Sequence, residues 1–142
     1  VQENAMTDVS RPGMRAKEIV LHAKSHVLEI AFAEGSRFHL PFEFLRVYSP
    51  SAEVLGHGPG QEVLQTGKRD IDISALEPVG HYGVKPTFSD GHETGIFSWD
   101  YLYHLGSNFD RLWQDYLGRL EKAGASRDAA PQMRTIPIKR AT

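Results

Sequence analysis

Seven histidines, at positions 22, 26, 39, 57, 81, 92 and 104, hold most of the near-neutral proton chemistry in this 142-residue chain, which has no cysteine. Any transition-metal site must therefore rest on imidazole and carboxylate, because thiolate ligands are missing. No histidine is followed two positions later by Asp or Glu, which removes the local pair of a facial-triad iron oxygenase, and no HExxH occurs. His22 and His26 stand four apart, but in a strand-turn-strand stretch they do not share a helix face. Two imidazoles stand out by position. His57 lies in a His-Gly-Pro-Gly segment, and His92 follows Asp90-Gly91 within residues 88–105, where a turn, an imidazole and an aromatic cluster crowd together. The ordinary account of such a histidine is a hydrogen bond to backbone at a turn. Other catalytic arrangements are missing. Gly60 and Gly67-Lys68 are too far apart for a phosphate-binding loop, Arg69 stands where Ser or Thr would hold magnesium, and no GxSxG marks a nucleophile elbow.

These residues need elements to position them. Residues 18–24 and 26–33 are β-prone. In the second run Leu28, Ile30 and Phe32 alternate with Val27, Glu29 and Ala31, the pattern of a half-buried strand. With residues 37–40 they predict a three-stranded meander. Pro41 suits the first position of a short helix over 41–48, since its fixed φ is pre-set for that site. Residues 49–69, rich in Gly and Pro, read as a long exposed loop with at most a short strand near Val63-Leu64. Alternation from Asp70 to Ile73, a run over 80–88 and a return over 94–97 predict more antiparallel sheet, with Asp90-Gly91 as a tight hairpin turn and His92 on the returning strand. Ser98 caps a helix that Gly106 closes, and Ser107 opens a second one. In this last helix Phe109, Leu112, Trp113, Tyr116, Leu117 and Leu120 recur at three- and four-residue spacing, with Gly124 as its stop. That periodicity makes Trp113 and Tyr116 core residues rather than parts of an aromatic binding face.

The expected fold is therefore α+β: a small antiparallel β-sheet domain with a short helix after the first strands and two C-terminal helices. A single domain over 17–124 is flanked by disordered segments, 1–16 and 125–142. The chain is 40% hydrophobic and 24% charged, ordinary for a globular domain, and its net charge of −2 offers no positive field for nucleic acid or an anionic membrane. The absence of cysteine fits a reducing, cytoplasmic address. No apolar run approaches the roughly 18 residues of a spanning helix, and the first residues lack the apolar stretch of a secretion signal.

Three groups of residues in this order resemble one family. They are Leu40-Pro41 with Leu45-Arg46, then Ile73 through Glu77-Pro78-Val79-Gly80 with Tyr82, and Phe88-Ser89-Asp90-Gly91-His92 with Gly95-Ile96-Phe97 and Trp99-Asp100-Tyr101-Leu102. Over about residues 17–124 the chain resembles the gamma-butyrobetaine hydroxylase-like N-terminal domain family, whose stand-alone bacterial members have no known function. In the hydroxylase, the similar domain holds a structural zinc through three cysteines and one histidine. The positions this resemblance implies here are Ser49, Ser51, Val54 and His92. Two hydroxyls and a valine do not replace three thiolates, so the resemblance also implies that the zinc site is lost. The hydroxylase's catalytic domain, which holds iron and 2-oxoglutarate, has no counterpart in this chain.

The leading expectation is a non-catalytic accessory module that binds another protein or a ligand, since the resemblance implies that in larger relatives the domain looks like an accessory to oxygenases or to iron–sulfur carrier ATPases. Arg46, His57, Asp90 and His92 are its candidate surface. The alternative is a metal-binding protein in which His92, with His57 and His81 or Asp90, builds a new site. An enzyme is the weaker third reading, with no catalytic residue assigned beyond Asp90, His92 and Arg46 as the only ones to recommend themselves. No cofactor is expected, zinc and iron remaining the open metals, and no nucleic acid or membrane partner is expected.

Overall fold

The alternation that begins at Val27 buries one face of a meander, and the rest of the fold packs on that face. The computed structural model describes residues 15–56, 62–92 and 95–129. Strands β1 (Ala16–His22), β2 (Val27–Phe32) and β3 (Arg37–Pro41) form one antiparallel sheet in the order β1-β2-β3. Its register places Leu28 between Leu21 and Leu40, and Ile30 between Ile19 and Phe38, so one face is a continuous aliphatic and aromatic layer. After β3 the chain enters α1 (Phe42–Val47), every residue of which is buried, and then α2 (Ala52–Leu55). A second antiparallel sheet contains β4 (Ile73–Val79), β5 (Gly83–Phe88) and β6 (Phe97–Ser98), in that order. Helices α3 (Trp99–Ser107) and α4 (Phe109–Ala123) complete an α+β fold.

One core joins both sheets to the helices. Leu28, Ile30, Phe32 and Leu40 meet Phe42, Phe44 and Leu45 of α1, Ile73, Val84, Phe88 and Phe97 of the second sheet, and Leu102 and Leu105 of α3. Val47, Tyr116 and Leu120 form a smaller cluster beneath α4. Burial of this kind contributes about 25 cal/mol per Å² of apolar surface removed from water. The helix periodicity read from Phe109 to Leu120 is realised, and Tyr116 is fully buried.

Several expectations need correction. Pro41 ends β3 and caps α1 with extended backbone instead of starting the helix. The described part of the 49–69 segment is not an exposed loop: it contains α2, and Ser49, Ser51, Val54 and Gln65 are buried. Asp90-Gly91 does turn the chain, with Gly91 at φ +79° and its N–H donating to Phe88 O at 3.1 Å. It is not a two-residue hairpin turn, however, because β5 pairs with β6 only at its far end, Gly83 opposite Ser98 and Val84 opposite Phe97. His92 consequently lies off the sheet. Ser98 caps α3 as expected, its Oγ accepting from Tyr101 N at 3.1 Å. Gly106 does not end that helix. Asn108 is both the last cap of α3 and the first of α4, and its side chain donates back to His104 O at 2.9 Å instead of capping α4.

The chain also stays packed beyond Gly124. Gly67 N and Arg69 N donate to Ser126 O and Arg127 O, each at 2.9 Å. Arg127 makes a two-pronged bond to Glu43, at 2.8 and 2.7 Å, and lies 5.1 Å over the Trp113 ring. Glu43 is only 5% exposed, so its carboxylate needs that partner. Ala16, placed in the flexible start by the sequence, already belongs to β1. The remainder of the two expected flanks, 1–14 and 130–142, lies outside the described residues.

Gly106 sits inside α3 because the helix presses on Phe38, which packs edge-on against Phe32 and Tyr103. A Cβ on Gly106 would lie 2.4 Å from the Phe38 ring, whereas one on Gly118 of α4 would meet nothing within 4 Å. Gly106→Ala is therefore expected to lower stability by about 1–3 kcal/mol, and Gly118→Ala to raise it by up to about 1 kcal/mol, in urea unfolding. Equal gains for both would mean that α3 does not rest on Phe38.

Candidate functional site

The three segments that the zinc resemblance singled out converge. Ser49 follows the end of α1, Ser51 immediately precedes α2, and His92 follows the Asp90-Gly91 turn. Ser49 Oγ and Ser51 Oγ each lie 3.1 Å from His92 Nε2. All three are shielded, with exposures of 0%, 8% and 7%, and Val54 on α2 is 6% exposed. The turn that aims His92 inward is itself held by Asp90, whose Oδ1 accepts the His92 N–H at 3.1 Å in an Asx-type turn. Phe88 packs against the ring, 6.2 Å between centroids.

A second polar group backs the corner. Arg46, near the end of α1, is 2% exposed, and such a charge is costly to bury without partners. Its Nε donates to Asp90 Oδ2 at 3.0 Å and its Nη1 to Gln65 Oε1 at 3.0 Å. Lys68 Nζ reaches the same Asp90 oxygen at 2.7 Å. Burial pushes the Asp90 carboxyl up, but the bonds from Lys68 and the His92 amide, with the Arg46 charge, outweigh it and bring it down to about 2. Gln65 is fixed further, its side-chain Nε2 donating to Val63 O at 2.9 Å while its main-chain carbonyl accepts from Tyr116 Oη at 2.8 Å. Burial, followed by the nearby Tyr48, raises the Tyr101 phenol to about 12, and its Oη donates to Tyr48 O at 2.6 Å, beside Ser49.

This donor set does not fit zinc. One imidazole and two neutral hydroxyls supply neither the charge nor the fourth donor of a structural site, and Val54 offers none. Among the described residues there is no group of three or more His, Cys, Asp or Glu side chains able to hold a metal ion. His81 precedes β5 while Asp90 and His92 follow it, so a six-residue strand, about 17 Å at ~3.4 Å per residue, separates them. His57 lies outside the described residues. Arg46 and His92, expected on a binding surface, face inward instead, and only Asp90 of the described three keeps a partly exposed side chain, at 25%. Gln65 and Lys68, which complete the network, carry no local sequence signal.

Compared with known proteins, the family model described as gamma-butyrobetaine hydroxylase-like, N-terminal, matches residues 19–103, more than half of the chain. The chain belongs to that family. Among solved members of similar structure, two proteins studied by NMR in solution are 46% and 47% identical, each with a TM-score of 0.72. The match covers 92% of this chain and 100% of the first, and 95% of this chain and 97% of the second. A crystal structure of a protein of unknown function of the DUF971 family from Acidithiobacillus ferrooxidans is 40% identical, with a TM-score of 0.56, covering 68% of this chain and 98% of that one. No curated protein matches the chain. The Acidithiobacillus ferrooxidans relative is itself a protein of unknown function.

Asp90→Asn should destabilise the protein by about 1–3 kcal/mol at neutral pH, less than for a fully buried pair because Asp90 is a quarter exposed to screening solvent. The carboxyl is depressed from 3.8 to about 2, so its contribution is complete above the unfolded value and disappears as pH falls through about 2. Urea unfolding from pH 7 to pH 2 should show wild type and variant converging at the acid end. A difference that persists there would assign the effect to packing rather than charge.

Proposed function

We propose that this domain is a non-catalytic accessory module that binds another protein, with its contact surface on the rim of the Ser49–Ser51–His92 corner. One observation carries the reading. Four large hydrophobic side chains are exposed among the described residues, namely Leu55, Val63, Tyr82 and Ile96, and three of them surround this corner. Leu55 ends α2; Val63 follows closely, since its N–H donates to Val54 O at 2.8 Å. Ile96 comes next to Gly95, which backs so tightly on Pro50 that a Cβ there would lie 2.9 Å from Pro50 O. Single exposed aliphatics are ordinary, whereas a group around one rigid corner supports an interaction surface.

The polar groups support a non-catalytic role because they are spent on one another. His92 meets two hydroxyls, and Arg46 and Lys68 meet Asp90. A net charge of −2 argues against nucleic acid, and no helix among the described residues is long and apolar enough to cross a membrane. We place the module in the cytoplasm on the absence of cysteine.

The test is cross-linking capture from native lysate of the source cell, using wild type and the triple variant Leu55→Ser, Val63→Ser, Ile96→Ser as baits. The wild type should retain a defined partner that the variant loses by about tenfold or more, because a few apolar anchors dominate such interfaces, while circular dichroism stays unchanged. Equal capture by both baits would overturn the reading. Metal analysis of tag-free protein runs beside it: a stoichiometric ion that disappears in His92→Ala would replace this reading with a metal-binding one.

A further inference from the structure

A crevice of about 60 Å³ opens within the proposed contact surface, between α2, the 62–65 segment and α4. Val47, Val54, Leu55 and Val63 give it aliphatic walls, and Tyr48 and Arg119 line its α4 side. Ser49, Glu62, Gln65 and Tyr101 also line it, but most of the surface it exposes is apolar. An apolar group is the better occupant.

Arg119 adds a charge requirement. Its guanidinium lies 5.9 Å over the Tyr48 ring, with Nη2 3.4 Å from Tyr48 Oη. Its Nε is buried and makes no hydrogen bond, although Asp115 Oδ2, one turn back, lies 3.4 Å away. Asp115 is 62% exposed, so it is a weak competitor for the cation. A guanidinium offers five donors in a planar fork suited to a carboxylate.

We infer that this crevice receives one aliphatic side chain of a partner polypeptide and that a carboxylate adjacent to it in the partner pairs with Arg119. The inference rests on the binding-module reading and names the partner's chemistry. The probe is an N-acetylated, C-amidated tetrapeptide with leucine followed by aspartate at its centre, titrated into the full chain and followed by methyl NMR. Saturable shifts should appear at the Leu55 and Val63 methyls. Affinity should fall about fivefold or more when the peptide's aspartate becomes asparagine or when the protein carries Arg119→Gln. Asp115→Ala, which frees the guanidinium, should strengthen binding. Absence of saturable shifts up to millimolar peptide, or equal affinity for the aspartate and asparagine peptides, overturns the inference. If the peptide fails while the rim variant still loses its captured partner, the inference falls alone; if the rim variant keeps its partner, the binding-module reading falls as well.

Discussion

The buried guanidinium of Arg46 is the constraint on which this structure depends. At 2% exposure it has left water, and it is tolerable only where a carboxylate and an amide oxygen meet it. Asp90 comes from the turn after β5 and Gln65 from the segment leading to β4, so satisfying one side chain fixes two loops against α1. Gln65 passes the constraint on, since its main-chain carbonyl accepts from Tyr116 in the middle of α4. Lys68 adds a second cation to Asp90, and the depressed carboxyl reflects the resulting charge balance. Elements far apart in the chain thus share one electrostatic site.

The Ser49–Ser51–His92 corner is built on that frame. Asp90 holds the His92 amide while it binds Arg46, so the same carboxylate that neutralises the guanidinium also aims the imidazole inward. Something must join the α1–α2 segment to the corner after β5. Here the two hydroxyls share His92 Nε2 and make that connection, worth about 1 kcal/mol in all because one ring nitrogen offers a single proton or lone pair. The inward turn of these polar groups leaves aliphatic residues facing out, which separates the supporting role of the corner from the contact role proposed for its rim.

How much of this was legible in the sequence depends on the range of the interaction. Alternation in Val27–Phe32 and periodicity from Phe109 to Leu120 are local, and both elements stand where those patterns placed them. The Asp90-Gly91 turn was visible because glycine there takes a positive φ, and the positions of Ser49, Ser51 and His92 came from the family resemblance. Arg46 looked like a surface residue because its partners lie 19 and 44 positions away. Gly106 looked like a helix stop, yet it is a contact point for Phe38, a tertiary demand that outweighs its local preference. The ordered stretch from Ser126 to Asp128 has a weak local pattern and is fixed by Glu43, far earlier in the chain.

The central claim is that Arg46 and Asp90 act as one unit that holds the corner. A double-mutant cycle with Arg46→Met, Asp90→Asn and the combined variant, read by urea unfolding at pH 7, measures their coupling directly. A coupling of at least about 1.5 kcal/mol is expected, with the double variant losing clearly less than the sum of the two single losses. Losses that add to within about 0.5 kcal/mol would show that the two side chains stabilise the protein independently, and would contradict it.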